Sequence, residues 1–279
     1  MLQRIKKQFL HYSWVLAYGS YDESIIYDGL AVESLHFIKN PYRDKWFADP
    51  FILRYGNDTI EFLVEEFDKS VKRGRIAHII VDRKTDCVDD CKIILDLPTH
   101  LSFPAIYRVG DKIYVHPENF KSGKSYIYEY DTVNERLVNP SLISNEPLTD
   151  AVIVNRGHHY EILSTYGDNP NGNVLKVLKS SSFLGRYEEA RTLNYSHNSA
   201  RMAGYMIKTT KEEIRPAQLC EGAYGKAVLF YKDDVVIGCL KPWGKYDGLH
   251  TFNIYNDLFV IDLKKYDFPW IYRLKNKIR

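Results

Sequence analysis

The sequence predicts an all-β fold, a five-bladed β-propeller. Two observations carry this. A short hairpin recurs five times, with its copies starting 47–54 residues apart, the size of one propeller blade. No segment shows a convincing helical period, whereas apolar runs of strand length bounded by turn residues recur throughout.

The first copy is Trp46-Phe47-Ala48-Asp49-Pro50-Phe51, continued by Ile52-Leu53. It sets an acid in an apolar strand start, and Pro50 keeps Asp49 out of the α region. The chain turns at Tyr55-Gly56-Asn57-Asp58 and returns through Ile60 to Glu65 and Glu66. The second copy opens at Leu101-Ser102-Phe103-Pro104 and returns as Ile113-Tyr114-Val115-His116-Pro117-Glu118. The third opens at Thr149-Asp150-Ala151-Val152 and the fourth at Arg201-Met202-Ala203-Gly204, returning through Arg215 and Gln218. The fifth opens at Leu249-His250-Thr251-Phe252 and returns through Phe259 to Asp262. First strands are expected near 48–54, 102–108, 150–155, 202–208 and 250–255, lining a central axis into which Asp49 and Asp150 point. Residues 13–38 read as strands ahead of the first full blade; the N-terminal strand is expected to complete the last blade and seal the ring. No linker or low-complexity stretch divides the chain, so one domain over 1–279 is expected.

The net charge of +2 gives no nucleic-acid footprint. Tyrosine is abundant at 22 residues, which suits both strand packing and sugar stacking. The four cysteines lack zinc spacing, so no metal site is expected from them. With no signal peptide and no run of 18 apolar residues, the expectation is a cytoplasmic protein with reduced thiols. Basic, aromatic-flanked ends at residues 1–12 and 270–279 suggest weak contact with an anionic membrane surface, or simply solvated tails.

With these residues in view, the chain resembles the five-bladed propeller clan of glycoside hydrolases, which includes family 43 and the levansucrase–invertase group. The resemblance implies that Asp49 is a general base or nucleophile and that Asp150 tunes and orients the acid. It also implies that His250 sits near the axis, where the clan sometimes holds a divalent cation. The clan's blade-four acid is absent, because Arg201 opens that blade. More narrowly, the chain looks like the family-43-like N-terminal domain of plant glucosamine inositolphosphorylceramide transferases and standalone bacterial relatives. That likeness rests on Phe47-Ala48-Asp49-Pro50-Phe51, Glu65-Glu66, Gly74-Arg75-Ile76, His100-Leu101-Ser102-Phe103-Pro104, Pro117-Glu118, Asp150-Ala151, Ala200-Arg201 and Tyr224-Gly225. It implies fold more than activity, since the plant proteins carry transferase chemistry in a separate C-terminal domain.

Hydrolysis at an acetal carbon needs one ionised and one protonated carboxyl. Asp49 is expected to supply the first. Glu118, which closes the second strand of blade two, is the candidate for the missing acid, and Glu66 is expected in the corresponding place of blade one. Arg201 and Arg215 present forks suited to carboxylate or phosphate, or else lock the axis through salt bridges. Gln218, Tyr224 and His250 are candidates for hydrogen bonds to sugar hydroxyls. The function expected is a glycosidase- or transglycosylase-like enzyme acting on a glycan or glycoconjugate. The alternative is a non-catalytic propeller that binds a glycan or nucleotide sugar beside a glycosyltransferase.

Overall fold

The structure is a computed structural model and describes residues 12–266. The basic ends, 1–11 and 267–279, lie outside the described residues. Five four-stranded antiparallel sheets form the blades of a propeller. Blade one comprises β3 (Lys45–Tyr55), β4 (Thr59–Asp68), β5 (Arg73–Asp82) and β6 (Cys87–Leu95). Blade two comprises β7 (Ser102–Val109), β8 (Lys112–Glu118), β9 (Ser125–Asp131) and β10 (Arg136–Ser144). Blade three comprises β11 (Leu148–Asn155), β12 (Tyr160–Tyr166), β13 (Val174–Ser180) and β14 (Glu188–Asn194). Blade four comprises β15 (Ile207–Lys208), β16 (Glu213–Leu219), β17 (Ala227–Lys232) and β18 (Val235–Leu240).

The last blade joins the two ends of the chain. β19 (Gly248–Tyr255) and β20 (Leu258–Tyr266) are continued by β1 (Tyr12–Ser20) and β2 (His36–Phe37). β1 pairs with β20 continuously from Tyr12 against Tyr266 to Ser20 against Leu258. The N-terminal strand therefore closes the ring by hydrogen bonds. Between β1 and β2 the chain is not extended, as residues 13–38 were expected to be throughout. It makes a short helix, Ser24–Asp28, which buries Ile25 and Ile26.

Four of the first strands carry the same irregularity. Pairing slips between Ala48 and Phe51, Ser102 and Ala105, Thr149 and Val152, and Leu249 and Phe252. The extra residues are Asp49-Pro50, Phe103-Pro104, Asp150-Ala151 and His250-Thr251. Three of them, Asp49, Phe103 and Asp150, have φ of 49°, 43° and 42°. A non-glycine residue held there costs about 1–3 kcal/mol and persists only where its surroundings fix it. Bulges of this kind re-aim a side chain.

The fourth blade departs from the expected strand at 202–208. Met202 makes an isolated bridge to Ala217, and regular pairing resumes only at Ile207. Between them Tyr205 turns inward: its hydroxyl bonds both the N–H and the carbonyl of Ile106, and its ring packs edge-on against Phe51 at 5.2 Å. Phe51 in turn meets Phe103 at 4.9 Å, so blades one, two and four share a continuous apolar core.

Candidate active site at the propeller axis

Three of these bulges deliver a polar residue, Asp49, Asp150 or His250, and in blades one to three the second strand sets a polar residue opposite the bulge's edge. Ala48 faces Glu65, Ser102 faces Glu118 and Thr149 faces Thr165. The result is a cavity of about 920 Å³ into which Asp49, Glu65, Glu118, Arg201 and His250 open. Trp14, Trp46, Phe67 and Tyr224 wall one side, with Trp46 and Phe67 stacked at 4.7 Å. Lys69, Lys72 and Lys121 also line it.

The acids tie the blades together. Asp262 Oδ2 accepts the backbone N–H of Asp49 at 3.0 Å, Asp49 Oδ2 accepts that of Phe103 at 3.1 Å, and Glu118 Oε2 accepts that of Asp150 at 2.8 Å. Each bond runs from one blade to the bulge of the next. At blade four a side chain takes over: Arg201 Nε donates to Asp150 Oδ2 at 2.5 Å, and its Nη2 lies 3.3 Å from Glu118 Oε2. Gln218 Nε2 also donates to Asp150 Oδ2.

His250 is clamped between two carboxylates, with Nδ1 2.6 Å from Asp262 Oδ1 and Nε2 3.2 Å from Asp49 Oδ1. Burial disfavours its charged form, but Asp262 and Asp49 outweigh this and push its pKa up to about 10. The imidazolium stacks on Trp14 at 3.9 Å. Gly225, at φ +62°, lets the chain pass beside it; a Cβ there would come within 2.8 Å of His250 Cβ.

Burial works upward on Asp49, Glu65, Glu118 and Asp150. It raises Asp49, with the His250 charge as a partial offset. It raises Glu65 and Glu118 well above the carboxylate range, reinforced by Asp49 at Glu65 and by Asp150 at Glu118. At Asp150 burial is overcome by the Arg201 guanidinium, and the acid is held below its usual value. Glu65 and Glu118 are thus driven toward the neutral form, Asp150 behind Arg201 is held ionised, and at Asp49 the His250 cation opposes burial.

Asp49, His250 and Asp262 have donor atoms within 4.8 Å of one another, the one such cluster that could hold a metal among the described residues. The set does not fit a divalent cation. Each His250 nitrogen meets a carboxylate, and the Asp262 oxygens already accept the N–H groups of Asp49, His250 and Thr251. A metal would need a neutral imidazole and free oxygens.

Of the residues proposed from sequence, Asp49, Glu118, Arg201, Tyr224 and His250 meet at the cavity. Asp150 and Gln218 are buried behind Arg201. Glu66 does not join them. It faces away, fully buried, and pairs with Lys45 at 2.9 Å and Arg75 at 3.0 Å. Strand side chains alternate, so its neighbour Glu65 takes the place that matches Glu118. Arg215 is also elsewhere. It lines a separate cavity of about 270 Å³, sandwiched between the rings of Tyr195 at 4.0 Å and Tyr231 at 4.6 Å, and donates to the carbonyls of Ser199 and Ala200. It lies three residues from Gln218 on the same strand, an odd step that puts it on the other face. Sequence reasoning missed Glu65, His100, Trp14, Trp46 and Asp262. Asp262 did carry a signal, being a lone acid in the apolar run Phe259-Val260-Ile261-Asp262-Leu263.

Residues 32–238 match the family described as glucosamine inositolphosphorylceramide transferase 1, N-terminal. The chain belongs to this family. The match includes Asp49, Glu65, His100, Glu118, Asp150 and Arg201; Trp14, His250 and Asp262 fall outside it. Among relatives, the glucosamine inositolphosphorylceramide transferase 1 of Oryza sativa subsp. indica is 27% identical over 202 residues, covering 68% of this chain and 26% of that protein. The Arabidopsis thaliana protein of the same name is 26% identical over 209 residues, covering 72% and 27%. The chain thus spans about a quarter of the length of these curated relatives. Among solved structures, the catalytic domain of Coprinopsis cinerea GH62 α-L-arabinofuranosidase superposes with a TM-score of 0.56 at 9% identity, covering 89% of this chain and 97% of that one. The RS223 β-xylosidase superposes with a TM-score of 0.53 at 10% identity, covering 79% and 92%. At these identities the family's propeller shares its fold with those glycosidases, and that alone.

Proposed function

We propose that the axial cavity binds a carbohydrate or glycoconjugate and acts on it as a glycosidase or transglycosylase. The observation that carries this reading is the cavity itself: an aromatic wall of Trp14, Trp46, Phe67 and Tyr224 faces the carboxyls of Asp49, Glu65 and Glu118. Apolar sugar faces stack on such walls, and a few convergent polar groups fix hydroxyls. Asp49 is the base or nucleophile of this reading, and Asp150 with Arg201 forms the polar support beneath the floor.

The relatives' name includes glucosamine and inositolphosphorylceramide, a phosphate-bearing lipid. By that analogy the ligand belongs to cell-surface polysaccharide or glycolipid metabolism, with a glycosyltransferase as a partner. The lysines lining the cavity suit an anionic group on such a ligand. A cytoplasmic setting belongs to the same proposal and rests on the four cysteines all being free.

One observation favours a second reading, a propeller that binds sugars without turning them over. Arg201 stands where the clan's acid would be, and its ion pairs occupy Asp150 and Glu118. The deciding experiment screens aryl glycosides and nucleotide sugars for thermal shift and for turnover, wild type beside Asp49→Asn. Turnover abolished in the variant supports the enzyme. A thermal shift without turnover, unchanged in the variant, selects the binding module, and no shift with any sugar refutes both.

A further inference from the structure

The three carboxyls that open into the axial cavity differ in what holds them. Asp49 faces the His250 cation and the N–H of Phe103. Glu118 takes the N–H of Asp150 and faces the Arg201 guanidinium. Among the described residues, Glu65 pairs with an imidazole, His100 Nε2, at 3.3 Å.

That imidazole has a fixed tautomer. His100 Nδ1 accepts the backbone N–H of Gly74 at 2.9 Å, so it carries no proton. The ring proton therefore sits on Nε2, the nitrogen that lies 3.3 Å from Glu65 Oε1. The neighbouring backbone holds the arrangement, because Leu101 N–H donates to the Gly74 carbonyl at 3.0 Å. Only glycine fits at position 74. A Cβ there would lie 2.3 Å from the Leu101 carbonyl oxygen, 2.6 Å from Glu65 Oε1 and 2.9 Å from His100 Cε1. The chain thus gives up a side chain at residue 74 to bring a neutral imidazole against a buried acid.

We infer that Glu65 is the proton donor of the site and that His100 is its positioning residue, an acid from blade one in place of the one missing from blade four. The inference rests on the glycosidic reading above. Burial and the neighbouring carboxyls favour the protonated form of Glu65. Asp49 on β3, Glu118 on β8 and Asp150 on β11 oppose its ionisation, and among its larger influences His250 favours it. His100 offers no charge: burial, with Lys121 and Arg201 nearby, pushes it down to about 4. In the reaction Glu65 gives its proton to the glycosidic oxygen as the C1–O bond breaks, and the leaving sugar departs as an alcohol. Water adds to C1 and passes a proton to Asp49. Glu65 recovers its proton from Asp49 through solvent, so the net change is one water added across the bond.

The test compares wild type with the isosteric Glu65→Gln on a series of glycosides differing only in leaving group, from 2,4-dinitrophenyl to methyl. A donor of protons matters most where the leaving group is worst. The expected result is near-normal kcat on the dinitrophenyl glycosides and a loss of about 10²–10⁴-fold on the poor leaving groups. His100→Ala should show the same leaving-group dependence in weaker form. Infrared difference spectra at neutral pH, wild type minus Glu65→Gln, should contain a protonated-carboxyl band. Wild-type turnover with a loss that ignores the leaving group, or a difference spectrum without that band, overturns the role of Glu65 and leaves the glycosidic reading standing. A wild type inert on the whole series overturns both.

Discussion

Asp262 Oδ2, on the last blade, accepts the backbone N–H of Asp49, on the first, at 3.0 Å. The other oxygen of the same carboxylate takes His250 Nδ1 at 2.6 Å and the N–H of Thr251 at 3.0 Å. One fully buried acid therefore sets the strained bulge of Asp49, orients the cation beside it and adds a side-chain bond at the seam where the ring closes. Equivalent carboxylate-to-bulge bonds join blade one to two and blade two to three.

Asp262→Asn should consequently destabilise the fold more than its conservative shape suggests. The amide replaces one accepting oxygen with a donor that faces backbone N–H groups or His250. Breaking a buried pair of this kind costs about 3–5 kcal/mol. Chemical denaturation measures it, and a variant as stable as the wild type would refute the seam's dependence on Asp262.

His250 predicts a pH dependence with a definite sign. Its pKa rises on folding from 6.5 to about 10. The stabilisation is therefore fully present below about pH 6.5 and is lost as pH climbs through about 10. The melting temperature of wild type should fall from pH 7 to 10 more steeply than that of His250→Gln. Parallel curves would show that the imidazole is not charged in the fold.

Two adjacent glutamates should behave oppositely. Glu66→Gln weakens buried bonds to Lys45 and Arg75 and should cost about 1–3 kcal/mol of stability with sugar binding intact. Glu65→Gln keeps its shape in the cavity wall and should alter turnover or ligand affinity with little change in melting. The same sugar-induced thermal shift on both variants checks this, and an equal effect on ligand response would contradict the register that separates them.

Arg215→Met likewise separates the two cavities. It removes cation–π contacts to Tyr195 and Tyr231 and two carbonyl partners, so stability should drop by about 1–3 kcal/mol. The sugar-induced thermal shift at the axis should stay unchanged; its loss would tie Arg215 to the axial ligand after all.

Much of the fold was readable because first strands are buried on both faces. β11, for example, buries every residue from Leu148 to Val154, and such a run stands out as an apolar block. The outermost strands left no such mark. β14 is exposed along its whole length, and its Glu188-Glu189-Ala190-Arg191 start shows no apolar alternation. The bulges explain the site's partial legibility. Asp49, Asp150 and His250 are conspicuous polar residues at apolar strand starts. Assigning Glu66 rather than Glu65 was a one-residue register error, and on a strand one residue decides between axis and flank. Arg215 shows the same arithmetic from the other side. His100 lies in a connecting segment, where no periodicity points anywhere, and only the fold places it between Gly74 and Glu65.

Asp49→Asn tests the candidate chemistry against the structural role of the same residue. The asparagine oxygen can still accept the N–H of Phe103, and Asp262 still holds His250 Nδ1. Its amide nitrogen then faces His250 Nε2, and the ring gives up its second proton to accept from it. The fold should lose only about 1–3 kcal/mol, the range for one altered buried hydrogen bond. Turnover of a glycoside should fall by about 10²–10⁴ if Asp49 is a general base, and further if it is a nucleophile, because an amide forms no covalent glycosyl intermediate. Sugar binding, which rests on the aromatic wall, should persist. Measured together, melting, binding and kcat separate the cases. Unchanged kcat removes Asp49 from the reaction. Collapse of the fold, with melting lowered as far as in Asp262→Asn, assigns it to the blade-to-blade ring alone.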